Sequence, residues 1–304
     1  MYKDGPPSND QERIESLVHL HVDGALNRRD LLRRVAKITG SAAAAAAAVQ
    51  SFGLAQSADV CPGDIHVAED APDIQWDNIR YQGAAGMLHA LLTVPKPITK
   101  PQPAVIVIHE NRGLNEHIRD VTRRVARAGF VGLGIDFLSR QGGSHNFLDP
   151  VEGLNAYNRT RPEERLEDML STIQYLKSEG FVVPDRIGAV GFCAGGGNVF
   201  SLAFATKELA AAVPYYGTPP NPLPAFDNLT AKLLCIFSET DRNQAARIPD
   251  LVGGLVSNQK TFGLHLYQGT AHGFHNDTGN AYNREAACDA WSKTIAFFNK
   301  HLRA

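Results

Sequence analysis

The chain has 304 residues, a formal net charge of −2, and 43% hydrophobic and 20% charged residues. That is the make-up of an ordinary folded domain, with no basic excess for nucleic acid and no acidic run for a disordered tail. The expected partner is a small molecule, and the length suits one large α/β domain plus an extension.

Residues 1–58 read as the extension. Arg28-Arg29-Asp30-Leu31-Leu32 precede an alanine-rich stretch from Ser41 to Val49 and small residues up to Ala58. Twin arginines, a mildly apolar stretch and small residues match a twin-arginine export signal, which would make the protein periplasmic or otherwise exported. The alternative is a retained helical arm on a cytoplasmic protein, because alanine is the best helix former and LLRRVAKI has helical spacing. The apolar stretch is shorter than the ~20 residues a membrane span needs, so no stable span is expected.

Residues 59–304 read as the domain. Ile74–Tyr81 and Met87–Val94 form a hairpin around Gln82-Gly83-Ala84-Ala85-Gly86. Ala104–His109 is a continuous β-branched run, the mark of a strand buried on both faces. A helix follows over Glu116–Ala128, a strand over Phe130–Ile135, then a loop over Ser139–Thr160 that is expected to cover the site. The rest alternates. Helix Glu163–Ser178, strand Arg186–Phe192 and helix Asn198–Ala205 lead to strands Ala211–Tyr216 and Lys232–Ser238. Helix Arg247–Val256, strand Gly263–Tyr267 and helix Arg284–Leu302 close the chain. This alternation predicts a mostly parallel sheet with helices on both faces and an antiparallel hairpin at one edge.

Four cysteines, Cys61, Cys193, Cys235 and Cys288, match no zinc spacing. A Cys61–Cys288 bridge is open, and Cys235 in KLLCIFS reads as a buried strand residue. Cys193 differs. It lies in Gly191-Phe192-Cys193-Ala194-Gly195, directly after a strand and before a helix. This is the G-x-nucleophile-x-G elbow, with cysteine in place of serine. Flanking glycines allow close backbone approach, and a thiol at a helix start loses its proton more readily.

In such elbows the acid and the histidine follow along the chain. KLLCIFS leads into Glu239-Thr240-Asp241, and GLHLY leads into Thr270-Ala271-His272-Gly273-Phe274-His275. Asp241 is favoured over Glu239 as the residue further out on its loop. His272 is favoured over His275 as the one nearer its strand end. His109 reads as a hydrogen-bonded histidine at the end of its strand, and Glu110 as either a solvated loop residue or a contact of the thiol.

VIVIHENRGLN, GFCAGGG, VPYYG, SETD and AHGFHND, in that order between Gln75 and Leu302, resemble the dienelactone hydrolase family. The resemblance implies an α/β-hydrolase fold, no metal, no cofactor, and a Cys193–His272–Asp241 triad. It also implies an oxyanion hole from the backbone N–H groups of Asn111 and Ala194, and contact of Glu110 with the resting thiol. Members acting on dienelactone hold its carboxylate with an arginine shortly after the histidine, where this chain has Phe274-His275-Asn276-Asp277. Arg112 and Arg242 are the candidates for that role, with Tyr216 and Phe274 as further substrate contacts.

The expected activity is hydrolysis of an ester or lactone through a thioester, by a monomer or homodimer. A thiol redox sensor, a non-catalytic binding protein on the same scaffold, and acyl transfer to an alcohol are the competing readings.

Overall fold

The computed structural model describes residues 9–22, 25–26, 28–41, 44–45 and 65–303. Helices α1 (Asn9–Val22) and α2 (Arg28–Thr39) precede the domain. The domain runs β1 (Ile74–Gly83), β2 (Gly86–Pro95), β3 (Gln102–Ile108), α3 (Glu116–Arg127), β4 (Val131–Asp136), α4 (Pro150–Asn158), α5 (Pro162–Ser178), β5 (Val182–Phe192) and α6 (Ala194–Ala205). It ends with β6 (Ala211–Tyr215), β7 (Lys232–Ser238), α7 (Arg242–Ala245), α8 (Ile248–Ser257), β8 (Phe262–Tyr267) and α9 (Arg284–Leu302).

The strands form one eight-stranded sheet in the order β1-β2-β4-β3-β5-β6-β7-β8. β2 pairs antiparallel with both β1 and β4, and every other pair is parallel. This is the α/β-hydrolase fold, with the predicted antiparallel hairpin at its edge. Side chains alternate across the sheet as a strand period of two requires. On β3, Ala104, Ile106 and Ile108 enter the layer that holds Met169 and Ile173 of α5 and Val199 and Phe200 of α6. Val105 and Val107 enter the opposite layer, with Ile118 and Val121 of α3 and Trp291 and Phe298 of α9.

Two expectations about the connections change. The segment Ser139–Thr160 holds α4, where Pro150 occupies the first turn and Asp149 caps it by accepting from Val151 N at 2.7 Å. Proline suits the first turn of a helix, where its missing N–H would have no intrahelical acceptor. Helix α6 begins at Ala194, four residues before the predicted Asn198, so Gly195, Gly196 and Gly197 are helical. Glycine disfavours a helix by ~1 kcal/mol per residue, and close packing overrides that preference here. A Cβ on Gly195 would collide with the carbonyl oxygens of Ile108 and His109, and one on Gly196 would lie 2.5 Å from Tyr215 O.

Helices α1 and α2 pack on each other through Val18, Val22, Leu31 and Val35. They touch the domain at the loop after β8, where Asn280 Nδ2 donates to His21 O at 2.7 Å and Ala281 packs against the helix pair. No helix among the described residues is long and apolar enough to cross a membrane. Arg28 and Arg29 open α2, whereas the rest of the proposed signal falls largely outside the described residues.

The Gly195→Ala variant is expected to lose about 3 kcal/mol of stability, because fixed backbone of β3 and not a side-chain tip would have to yield. Urea unfolding followed by circular dichroism measures this, and an unchanged midpoint would contradict the packing described.

Candidate active site

Cys193 links β5 to α6 with φ 57° and ψ −121°, a left-handed conformation rare for any residue but glycine. Such a conformation costs ~1–3 kcal/mol and persists only where its surroundings enforce it. Here Cys193 N donates to Tyr215 O at 3.1 Å, and Gly197 N donates back to Cys193 O at 3.2 Å. The thiol is thereby lifted to the C-terminal edge of the sheet at the start of a helix, where the dipole favours negative charge.

His272 and Asp241 reach the same edge from the loops after β8 and β7. His272 Nδ1 lies 2.5 Å from Asp241 Oδ2, and the imidazole lines the same cavity as Cys193, close enough for their charges to interact. Since Nδ1 is taken by Asp241, Nε2 is the nitrogen left for the thiol. Burial opposes a charge on this ring, but ionised Cys193 and Asp241 outweigh it, and the His272 pKa is raised well above its ordinary value. Asp241 is likewise buried against its charge. His272 and Gln244 overcome that and bring its pKa down to about 2.

Glu239, the competing acid, is exposed and accepts from Gly269 N at 2.7 Å. His275, the competing base, is fully buried, stacked on Phe192 at 5.0 Å and tilted against Trp291 at 5.9 Å. Neither of its ring nitrogens has a hydrogen-bond partner among the described residues. Its burial, together with His117 and Arg124, holds its pKa well below the ordinary value.

A cavity of about 240 Å³ opens above the thiol, lined by Asn111, Cys193, Ala194, Tyr216, Thr218, Asp241, Asn243 and His272 among others. The backbone N–H groups of Asn111 and Ala194 donate no hydrogen bond among the described residues. That of Ala194 lies in the first turn of α6, where no carbonyl stands one turn back. Tyr216 is fully buried, has φ 35°, and packs its ring 5.0 Å from that of His272.

The other residues read from the sequence lie elsewhere. Phe274 backs Tyr216 at 5.5 Å and does not line the cavity. Arg242 is exposed and outside it. Arg112 is also outside, with Nη2 3.4 Å from Glu110 Oε2. Glu110 is fully buried, and its partners are Arg112, Asn115 (3.0 Å) and Asn276 (3.1 Å). The expected contact with the thiol is not among them. Burial opposes the Glu110 charge, yet His117, Arg112 and the two amides outweigh it and keep its pKa below the ordinary value. The carboxylate therefore turns toward its own donors. The Ser139–Thr160 segment gives the cavity no wall. His109 accepts from Phe137 N at 3.0 Å and holds the strand ends together.

Gln244 escaped the sequence reading. It is fully buried. Its Nε2 hydrogen-bonds Asp241 Oδ2, 3.3 Å from His272 Nδ1, while Oε1 meets Ser238 N at 3.5 Å. The signal was Asp241 at a helix start with Gln244 three residues on, the spacing of a capping box.

Among the described residues, His66, Asp120 and Asp277 bring ligand atoms within 4.8 Å of one another. Arg124 already neutralises that group, with Nη2 2.6 Å from Asp277 Oδ2 and in contact with Asp120. Cys288 is disulfide-bonded, and its candidate partner Cys61 lies outside the described residues. Cys235 is fully buried, and burial pushes its thiol up to about 12.

The family model of the dienelactone hydrolase family matches residues 88–302. The chain belongs to the dienelactone hydrolase family. This makes it a carboxylic ester hydrolase of the α/β-hydrolase superfamily, acting on esters or lactones. A Saccharolobus solfataricus protein named "Putative carboxymethylenebutenolidase" is 31% identical over 257 residues, 73% of this chain and 97% of the relative. A Bradyrhizobium protein named "Probable 2-oxo-3-(5-oxofuran-2-ylidene)propanoate lactonase" is 29% identical over 78% of this chain and 98% of its own length. The crystal structure of a "Putative Dienelactone Hydrolase" from Klebsiella pneumoniae superposes with a TM-score of 0.69 at 25% identity, covering 75% of this chain and 99% of that one.

His275 makes this dienelactone hydrolase family member acid-sensitive. The unfolded chain takes a proton on this ring below pH 6.5, its ordinary value, while the folded chain resists it. Its titration therefore changes nothing above that pH and lowers stability below it, by at most ~1.4 kcal/mol per pH unit. Urea midpoints of wild type and His275→Phe are expected to run parallel above pH 7 and to diverge below 6.5, with wild type falling faster.

Proposed function

We propose that the chain hydrolyses small, uncharged lactones and short-acyl esters through a thioester on Cys193. The observation that carries this reading is the His272–Asp241 hydrogen bond beside Cys193, in a cavity also lined by Asn111 and Ala194, whose backbone amides are undonated.

The raised His272 pKa supports a thiolate–imidazolium resting pair. The thiolate attacks the carbonyl carbon. The oxyanion takes hydrogen bonds from the Asn111 and Ala194 N–H groups, each of a kind worth ~3 kcal/mol in a transition state. As the tetrahedral species collapses, the leaving oxygen takes its proton from His272; in a lactone it stays attached to the acyl chain. Neutral His272 then removes a proton from water, and the resulting hydroxide attacks the thioester. The thiolate departs, and the product is a carboxylic acid. Asp241 holds the imidazole tautomer and stabilises its cation.

The substrate class follows from the walls. A cavity of about 240 Å³ is just below the ~300–1,000 Å³ usual for ligand sites, so it suits a short acyl group. Asn111, Tyr216, Thr218 and Asn243 offer polar contacts, and no arginine or lysine among the described residues lines the cavity. A thiol redox sensor is less well supported, because Cys235 packs in the core layer on the opposite face of the sheet from Cys193.

We also propose export. The Cys288 disulfide fits an oxidising compartment and agrees with the twin arginines of α2. The retained-arm reading draws support from the Asn280–His21 hydrogen bond. The intact mass of the protein purified from its native host decides between them: a start beyond residue 50 supports export, and a start near residue 1 supports the arm.

Cys193→Ala is expected to reduce turnover of p-nitrophenyl acetate by roughly a thousandfold or more with an unchanged fold. His272→Ala should lose nearly as much and His275→Ala far less; the reverse ranking would move the base to His275. Gln244→Ala is expected to lower kcat roughly tenfold, the equivalent of one hydrogen bond, with KM little changed. An unaltered kcat would mean that Asp241 needs no such support.

A further inference from the structure

A second and larger cavity, about 590 Å³, lies at the hairpin edge of the sheet and shares no lining residue with the Cys193 cavity. It is lined by Asn78, Ile79 and Arg80 of β1, His89 and Ala90 of β2, Leu114, Arg119 of α3, Asp136 of β4, and Ser144 and His145. Strand register explains the grouping. Asn78 and Arg80 are two apart on β1 and so share a face. Arg80 is paired directly with His89, which is paired in turn with Asp136 on β4. Helix α3 adds Arg119 to the same cavity.

The charges there are unbalanced. Neither Arg80 nor Arg119 has an ion-pair partner among the described residues. Both terminal nitrogens of Arg119 lie 3.2 Å from a single neutral atom, Asn78 Oδ1, and its guanidinium is 5.7 Å from the centre of the Trp76 ring. These contacts hold the group in place without neutralising it. The wall holds one carboxylate, Asp136, against the two arginines, which leaves a net positive charge, and its oxygens are occupied by neutral donors. Asp136 accepts from Ser144 N at 2.7 Å, Ser144 Oγ at 2.6 Å and Leu138 N at 2.9 Å. His89 and His145 face each other with ring centroids 6.2 Å apart, adding two imidazoles to the wall. Leu114 adds an apolar side chain to the wall, whereas Ile79 and Ala90 direct their side chains to the other face of the sheet, into the core.

We propose that this cavity is a second ligand site that binds an organic carboxylate with a short apolar or aromatic body. Two arginines converging on a concave surface favour a carboxylate, which accepts their paired N–H groups. Leu114 and the ring faces of His89 and His145 offer contact to an organic body that a bare inorganic anion lacks. Carboxylic acids are also the products of the activity proposed above. The identity of the physiological ligand rests on that reading, but the existence of the site does not.

The test uses the full chain carrying Cys193→Ala, so that binding is read without turnover. Calorimetric titration with benzoate is expected to give one saturable site with a Kd on the order of 1 mM or tighter. Arg80→Gln and Arg119→Gln should each weaken it several-fold, and the double variant at least about tenfold, with thermal unfolding unchanged. Thr218→Trp, which fills the Cys193 cavity, should leave the Kd as it is, and benzyl alcohol should bind at least about tenfold more weakly than benzoate. Absence of saturable benzoate binding, or a Kd unaffected by the double variant, would overturn the proposal. So would a Kd abolished by Thr218→Trp, since the ligand would then occupy the reaction cavity. Failure of ester turnover in the wild type would count against the proposed hydrolysis alone.

Discussion

The arrangement depends on how closely backbone approaches backbone under Cys193. Residue 193 is held at positive φ because β5 must turn into α6 within one residue. That turn closes only if Gly191, Gly195 and Gly196 let the strand ends of β3 and β6 come within reach. The same crowding leaves the first amide of α6 at the rim of the cavity. Strain, the position of the thiol and the undonated amide therefore share one cause. None can be relaxed without moving the others, because the neighbours are main chain at the centre of the sheet.

Around this turn lies an unusual amount of buried charge. Glu110, Asp120, Arg123 and Arg124 are all almost fully removed from solvent. Arg124 ties α3 to Asp277 in the loop that carries His272, and Asn276 of that loop holds Glu110. Buried ion pairs add little net stability compared with a well-packed apolar core, yet losing one partner is costly. Their effect here is geometric. They tie the loop after β3, helix α3 and the loop after β8 into a single rigid arrangement, which fixes the distance between the cavity wall and the imidazole.

Much of this was legible from the chain. The β-branched run of β3 and the alternation of strands and helices fix the sheet and its hairpin edge, because periodicity survives without tertiary information. Cys193, Asp241 and His272 were readable because each follows a strand in the chain order that such elbows use. What escaped was decided by long-range packing. Gly195 to Gly197 look like loop in isolation and become helix only against β3 and β6. Gln244 is an unremarked polar residue until β7 and β8 place it between the acid and the histidine. Glu110 shows the same limit from the other side: its position on the loop was readable, but its donors come from residues 166 positions apart in the case of Asn276.

The cysteines carry a practical consequence. Cys235 is sealed in the core with its thiol pushed up to about 12, and Cys288 is already oxidised. Cys193 alone among the described cysteines opens into a cavity with an imidazole at hand. A mild alkylating reagent applied to the native protein should thus tag a single sulfur among the described cysteines, and the stoichiometry of labelling would count the molecules in a preparation whose cavity is correctly formed.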